Sequence, residues 1–150
     1  YDSQLVKSFF LDLLDKDELY PYEDSLSSIN INYYDKGDAL GWHFDNSDYT
    51  ITLLLKNCKK GGVYEYFNDM RYKDGKEDFD FVEKILDNEV SGIKVDSFEG
   101  DLMIFKGNKS IHQVSPVEEG ERILVTFNYN ETRGISLSEK SRKTFFGRLK

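Results

Sequence analysis

Hydrophobic positions along the chain recur at two periods. Between residues 3 and 14, Leu5, Val6, Phe9, Phe10, Leu13 and Leu14 fall at roughly helical spacing, which predicts a short amphipathic helix with Ser3 at its N-cap. From Ser28 the period drops to two. SININYY, YTITLLL and VYEYF read as strands, each bounded by Gly, Asp, Asn or Lys clusters. Residues 76–90, KEDFDFVEKILDNEV, return to helical spacing and put Phe79, Val82, Ile85 and Leu86 on one face. Strand patterns follow in SGIKVDSF, DLMIF, the segment around His112 and ERILVTFNYN. Beyond Asn130 the pattern is mixed and reads as a loop followed by a short helix or an extended tail. Gly61-Gly62 and Gly100-Asp101 read as turns. Many short strands with turn signals between them predict a sandwich or barrel, with the helices as flanking layers.

Length and composition narrow the picture. With 150 residues there is room for one core, so residues 1–150 are expected to form a single domain. A hydrophobic fraction of 39% with 15% aromatics excludes disorder over most of the length, and ten Tyr with eleven Phe suit a β-rich core. The net charge of −8 argues against a nucleic-acid or anionic-membrane partner, because phosphate binding needs clustered Lys and Arg. Basic residues gather only near the end, as Lys140, Arg142, Lys143, Arg148 and Lys150, and read as a solvated tail. A single cysteine, Cys58, excludes an internal disulfide framework and fits a reducing compartment; the expected location is the cytoplasm. No signal peptide or membrane-spanning apolar run is read. The chain starts at Tyr1 rather than Met, which leaves open a longer parent lacking its N-terminal residues here.

Candidate chemistry rests on the two histidines of the chain. His43 lies in Gly41-Trp42-His43-Phe44-Asp45, where extended backbone turns His43 and Asp45 to one side. His112, from a distant strand, completes a set of two histidines and one carboxylate, an arrangement that leaves metal positions open and suits Fe(II). Arg122 stands ten residues after His112, across a turn signal at residues 117–121, where a hairpin returns it to the metal. Its planar fork can grip the far carboxylate of a 2-oxo acid cosubstrate. A lone H-x-D pair or a lone Arg would ordinarily be surface, and it is their coincidence with both histidines that gives the set meaning.

Residues 34–45, YDKGDALGWHFD, resemble the metal-ligand segment of prolyl-4-hydroxylase-like Fe(II)/2-oxoglutarate oxygenases. In that family a Tyr stands three before a Gly and the Gly six before the first ligand His, intervals that Tyr34, Gly37 and His43 keep. The stretch ITLLLKNCKKGGVYEYF is similar to the family's apolar strand, Gly-Gly turn and returning strand. Residues 99–127, with Pro-Val after the distal His and then Gly-x-Arg, are similar to its second half. The helical region at 76–90 and the ending GISLSEKSRKTFFGR resemble most the subgroup acting on free amino acids, which includes lysine halogenases and hydroxylases. The resemblance implies a double-stranded β-helix, that is a mainly β jelly roll of cupin-like form with flanking helices. It implies that His43, Asp45 and His112 bind Fe(II), that Arg122 holds the C5 carboxylate of 2-oxoglutarate, and that Tyr34 donates a hydrogen bond to the same cosubstrate, with O2 as oxidant. Halogenases of this type carry a small residue in place of the carboxylate ligand. This chain has Asp45, so the expectation is hydroxylation of an unactivated C–H bond.

Strand alternation extends the candidates to the substrate. If Arg122 points inward, so do Leu124, Thr126, Asn128 and Asn130, while Asn30 and Asn32 share parity with Tyr34. A row of inward Asn and Thr predicts a polar pocket that Asn46 can also reach; the other reading is that this parity faces water. Glu65 and Arg133 are candidate partners for an amino acid's ammonium and carboxylate, or solvated surface. Trp42 is a candidate wall of the site or simple packing. The expected partner is a small molecule, with a free amino acid first. The alternatives are a protein or peptide prolyl hydroxylase, or a jelly-roll module that binds metal or ligand without turnover.

Overall fold

The computed structural model describes residues 3–23 and 25–149. Helix α1 (Gln4–Leu14) is followed by β1 (Tyr20–Pro21), β2 (Ile29–Tyr34), β3 (Leu40–His43) and β4 (Tyr49–Lys56). Then come β5 (Lys60–Gly61), β6 (Tyr64–Phe67), β7 (Tyr72–Lys73), β8 (Lys76–Glu77) and α2 (Phe79–Leu86). The chain continues through β9 (Ile93–Val95), β10 (Leu102–Phe105), β11 (Ile111–Val114), β12 (Val117–Glu119), β13 (Arg122–Asn130) and α3 (Glu139–Phe146).

Two antiparallel sheets carry the architecture. The larger runs β1-β13-β4-β10, with β2 also paired to β13, and the smaller runs β3-β11-β6-β9. Strands distant in sequence lie side by side, and residues of both sheets line one shared cavity. This is the mainly β jelly roll that the resemblance implies, a case of the sandwich or barrel that the alternating patterns predict, with helices outside it. The turn at Gly61-Gly62 shows why glycine is needed there. Both residues have positive φ, and a Cβ on Gly61 would sit 2.1 Å from the Pro116 carbonyl oxygen.

The main apolar core lies on the outer face of the larger sheet, not inside the roll. Phe10 of α1 packs with Leu19, Tyr49, Ile51 and Tyr129, supported by Leu11, Leu14, Ile104 and Phe127. Alternation on β4 sends Tyr49 and Ile51 to this core and Thr50 and Thr52 to the cavity. The rest of that outer face is open: Ile29, Ile31 and Tyr33 of β2 are exposed, Tyr33 at 67%. Of the apolar stripe read on α1, only Phe10 is buried, whereas Leu5 is 80% and Phe9 54% exposed. Ser3 stands at the N-cap in extended conformation but makes no side-chain cap bond.

The helix expected over 76–90 is shorter than its periodicity. Asp74-Gly75, both at positive φ, turn a two-stranded hairpin in which Tyr72 faces Glu77 and Lys73 faces Lys76. The helix starts only after Asp78, whose side chain accepts from the Phe81 N–H at 3.1 Å, and it ends before Asn88 at φ 58°. Ile85 is buried, while Phe79 and Leu86 are exposed. The tail beyond Asn130 resolves into a loop and α3, capped by Ser138 and stopped by Gly147. No helix among the described residues is long and apolar enough to cross a membrane.

Candidate metal centre and its cavity

His43 and His112 arrive at one point because β3 and β11 pair with these two residues opposite one another. Their ring centroids are 4.2 Å apart. Asp45 comes in just beyond the end of β3, where its N–H donates to the Gly107 carbonyl at 2.9 Å. Asp45 Oδ1 then lies 3.4 Å from His43 Nε2 and 3.6 Å from His112 Nε2. One donor atom from each of the three residues falls within 4.8 Å of the others.

The backbone fixes which nitrogen each histidine presents. His43 Nδ1 is 2.8 Å from the Gly41 carbonyl, and His112 Nδ1 is 2.8 Å from the Ser110 carbonyl. A carbonyl only accepts, so both Nδ1 atoms carry hydrogen and both Nε2 lone pairs face Asp45. Three electron-rich atoms around one small gap repel each other unless a cation or proton lies between them. Imidazole and carboxylate without thiolate suit Fe(II) or a similar divalent ion. The electrostatics agree. With a proton in the gap, burial still works to raise the Asp45 carboxyl, but hydrogen bonding on the His112 and His43 side and from Thr50 outweighs it and holds Asp45 well below the usual carboxylate range. Burial lowers His43, yet the Asp45 carboxylate wins and raises it.

A surrounding network holds Asp45 in this pose. Thr50 Oγ1 donates to Asp45 Oδ2 at 2.5 Å, leaving Oδ1 for the histidines. Ser47 Oγ lies 3.0 Å from Thr50 Oγ1 and 3.1 Å from Asn128 Oδ1, and Asn128 Nδ2 donates to the Ser27 carbonyl at 2.9 Å. Gly107 provides the space: a Cβ there would lie 2.1 Å from Asp45 Oδ2.

The metal set opens into a cavity of about 380 Å³. Arg122, opposite Tyr34 in the β13–β2 register, is one of its walls. It is 3% exposed, its Cζ is 5.7 Å from the Tyr34 ring, and its Nε and Nη1 have no hydrogen-bond partner among the described residues. A guanidinium buried this way costs several kcal/mol unless an anion joins it. The donor set therefore fits a carboxylate ligand in the cavity. Met103, Phe105, Val114 and Leu124 supply apolar wall.

The inward row is partly as expected. Asn30, Asn32, Asn46, Thr126 and Asn128 all line the cavity. Asn32 Nδ2 donates to Thr126 Oγ1 at 3.1 Å, and Asn128 is engaged in holding Ser47 and Thr50. Asn130 is corrected: it is buried outside the lining, because at the end of β13 it pairs with Tyr20 and its Oδ1 accepts from the Asp48 N–H. Glu65 also lies outside, accepting from the Gly92 N–H and from Gln113. Arg133 rests over the Tyr20 ring, and Trp42 packs on Phe67.

Sequence reasoning misses Thr50, Gly107, Tyr64 and the two α3 side chains that reach the lining, Phe145 and Phe146. The alternation Tyr49-Thr50-Ile51-Thr52 carried a signal for Thr50. Nothing local marks Gly107, whose role depends on the approach of Asp45.

Among solved structures, similar folds include an oxidoreductase of the 2OG-Fe(II) oxygenase family from Burkholderia pseudomallei, with TM-score 0.64 and 15% identity. The alignment covers 87% of this chain and 52% of that one. AviO1 from Streptomyces viridochromogenes Tue57 aligns with TM-score 0.65 and 11% identity, over 91% of this chain and 61% of that one. The viral collagen prolyl hydroxylase vCPH from Paramecium Bursaria Chlorella virus-1, in its 2OG complex, aligns with TM-score 0.54 and 17% identity, over 86% and 72%. The chain thus spans between half and two thirds of the length of the first two. No curated protein matches in sequence. The sequence profile of the Halogenase D family, HalD, matches residues 1–145. With that match over nearly its whole length and the fold of 2OG-Fe(II) oxygenases, the chain belongs to the Halogenase D family.

Proposed function

We propose that this chain is an Fe(II)- and 2-oxoglutarate-dependent dioxygenase that hydroxylates an unactivated C–H bond of a small molecule, with free amino acids as the first substrate class. The observation that carries the reading is the convergence of two Nε2 lone pairs and Asp45 Oδ1 on one gap, in the same cavity as the unpaired Arg122 guanidinium. When bound, iron and 2-oxoglutarate supply the oxidising power, consuming O2 and releasing succinate and CO2. His43, Asp45 and His112 bind the metal, and their Nδ1–carbonyl bonds keep both rings oriented. Arg122 binds the cosubstrate's far carboxylate with its free Nε and Nη1, and Tyr34 packs beside it and donates a further hydrogen bond. Met103, Phe105 and Leu124 exclude water from the space between. Asn30, Asn46 and Thr126 are proposed substrate contacts.

Asp45 favours hydroxylation within a family whose name is halogenase, because a carboxylate occupies the position that a halide would need. The test is succinate formation from 2-oxoglutarate under air with Fe(II), in chloride buffer, for this chain and His112→Ala. A panel of L-amino acids runs beside short proline-containing peptides. Amino-acid-stimulated turnover with a product heavier by one oxygen, lost in His112→Ala, is the expected result. A chlorinated product would overturn the assignment of Asp45. The fold shared with vCPH favours a second reading as a peptide prolyl hydroxylase, and stimulation by peptides alone would select it.

A further inference from the structure

Tyr64 belongs to no part of the chemistry above, yet its hydroxyl is in an unusual position. It leads β6, 5% exposed, and its side chain lines the cavity. Its ring is 5.5 Å from that of His112 and 5.3 Å from that of Phe105. Its Oη is buried and has no hydrogen-bond partner among the described residues. A buried hydroxyl left unmatched is destabilising, so it persists where a ligand completes it.

The neighbours identify the ligand chemistry. Gly62 stands two residues before Tyr64 on the same returning stretch, and Arg122 Cδ is 3.1 Å from the point where a Gly62 Cβ would lie. Tyr64 thus lies beside the metal-side His112, and Gly62, just before its strand, lies beside Arg122. An acid bound in this cavity shares its walls with this hydroxyl, the metal set and Arg122. Arg122 Nε, Arg122 Nη1 and Tyr64 Oη are three buried, unmatched polar atoms of the one cavity, and all three can donate. Three donors call for an acceptor-rich anion.

We propose that the Tyr64 hydroxyl is a further donor, beside Arg122 and Tyr34, to a carboxylate of the acid bound in this cavity. This rests on the reading of the cavity as a 2-oxoglutarate site. Tyr64 is a positioning residue for the cosubstrate, and it acts without changing the metal ligands.

Tyr64→Phe removes only the hydroxyl. The measurement is calorimetric binding of 2-oxoglutarate to Mn(II)-loaded protein, in which no turnover occurs, together with Mn(II) affinity and the melting temperature with and without 2-oxoglutarate. The expected result is a roughly tenfold or greater rise in the Kd for 2-oxoglutarate, the scale of a lost hydrogen bond to a charged group. Mn(II) affinity stays within about twofold. Ligand-free Tyr64→Phe melts no lower than the parent, because it no longer buries an unmatched hydroxyl. The gain in melting temperature on adding 2-oxoglutarate shrinks. Equal 2-oxoglutarate affinity in parent and variant would overturn the Tyr64 assignment alone. A parent that binds Mn(II) but no 2-oxoglutarate would overturn the cosubstrate reading and this inference with it.

Discussion

Gly107 and Thr50 hold the same carboxylate from opposite requirements, one by leaving space and the other by filling it. Gly107→Ala sets a methyl 2.1 Å from Asp45 Oδ2, so Asp45 has to leave its pose. The expected outcome is loss of divalent-metal affinity by more than tenfold, read by Mn(II) titration, with the circular dichroism of the fold retained. Thr50→Val keeps the shape and deletes the hydrogen bond to Oδ2. Loss of such an outer contact typically weakens metal binding by about 10–100-fold, and the same titration reads it. The gap between the histidines and Asp45 takes a proton or a metal, not both. Because Asp45 raises His43 above its ordinary value, metal affinity falls as pH drops through that raised value and recovers above it. A Mn(II) titration series across pH checks the sign. At this scale the convergence of His43, Asp45, His112 and Arg122 on one cavity was legible in the sequence, since few residue types can build such a site and each half carries its own short spacing, His43 to Asp45 and His112 to Arg122. Gly107 was not legible, because its constraint is a contact with a residue sixty-two positions earlier.

The elements were legible wherever period and punctuation agreed. β2, β4 and β13 follow their alternating patterns closely. The region after Tyr72 was misread because helical spacing from residue 76 hid the Asp74-Gly75 turn signal, which outranks it locally. Helix α1 was found, but its burial was not, since periodicity names a face without naming what covers it. Phe10 and Phe9 make the contrast measurable. Phe10→Ala empties a position among Tyr49, Ile51 and Tyr129 and should cost about 3–5 kcal/mol in urea unfolding, while Phe9→Ala should stay within about 1 kcal/mol. The end of α1 is also tied down by charge. Lys16 Nζ is 2.8 Å from Glu131 Oε1, which accepts from Tyr49 Oη at 2.6 Å. Hydrogen bonds from Lys16 and Tyr49 lower the Glu131 carboxyl, so its contribution is present above the ordinary Glu range near pH 4.3 and is lost as pH falls through its depressed value. Glu131→Gln should lose less than about 1 kcal/mol at pH 7, because solvent screens the pair, and the difference should vanish in acid.

Across the whole molecule, the core and the cavity occupy opposite faces of one sheet. On β4, Tyr49 and Ile51 face α1 while Thr50 and Thr52 face the cavity; on β13, Phe127 and Tyr129 face the core side while Thr126 and Asn128 face the cavity. Adjacent codons therefore answer to different selection pressures. Variation at one parity is paid in abundance, and variation at the other in chemistry, so a lineage can explore new substrates along Thr126 and Asn30 while its folding determinants stand still. Saturation mutagenesis of residues 49–52 and 126–129, scored in parallel for cellular abundance and for turnover, should give two interleaved sensitivity profiles, each repeating every second residue and displaced from the other by one.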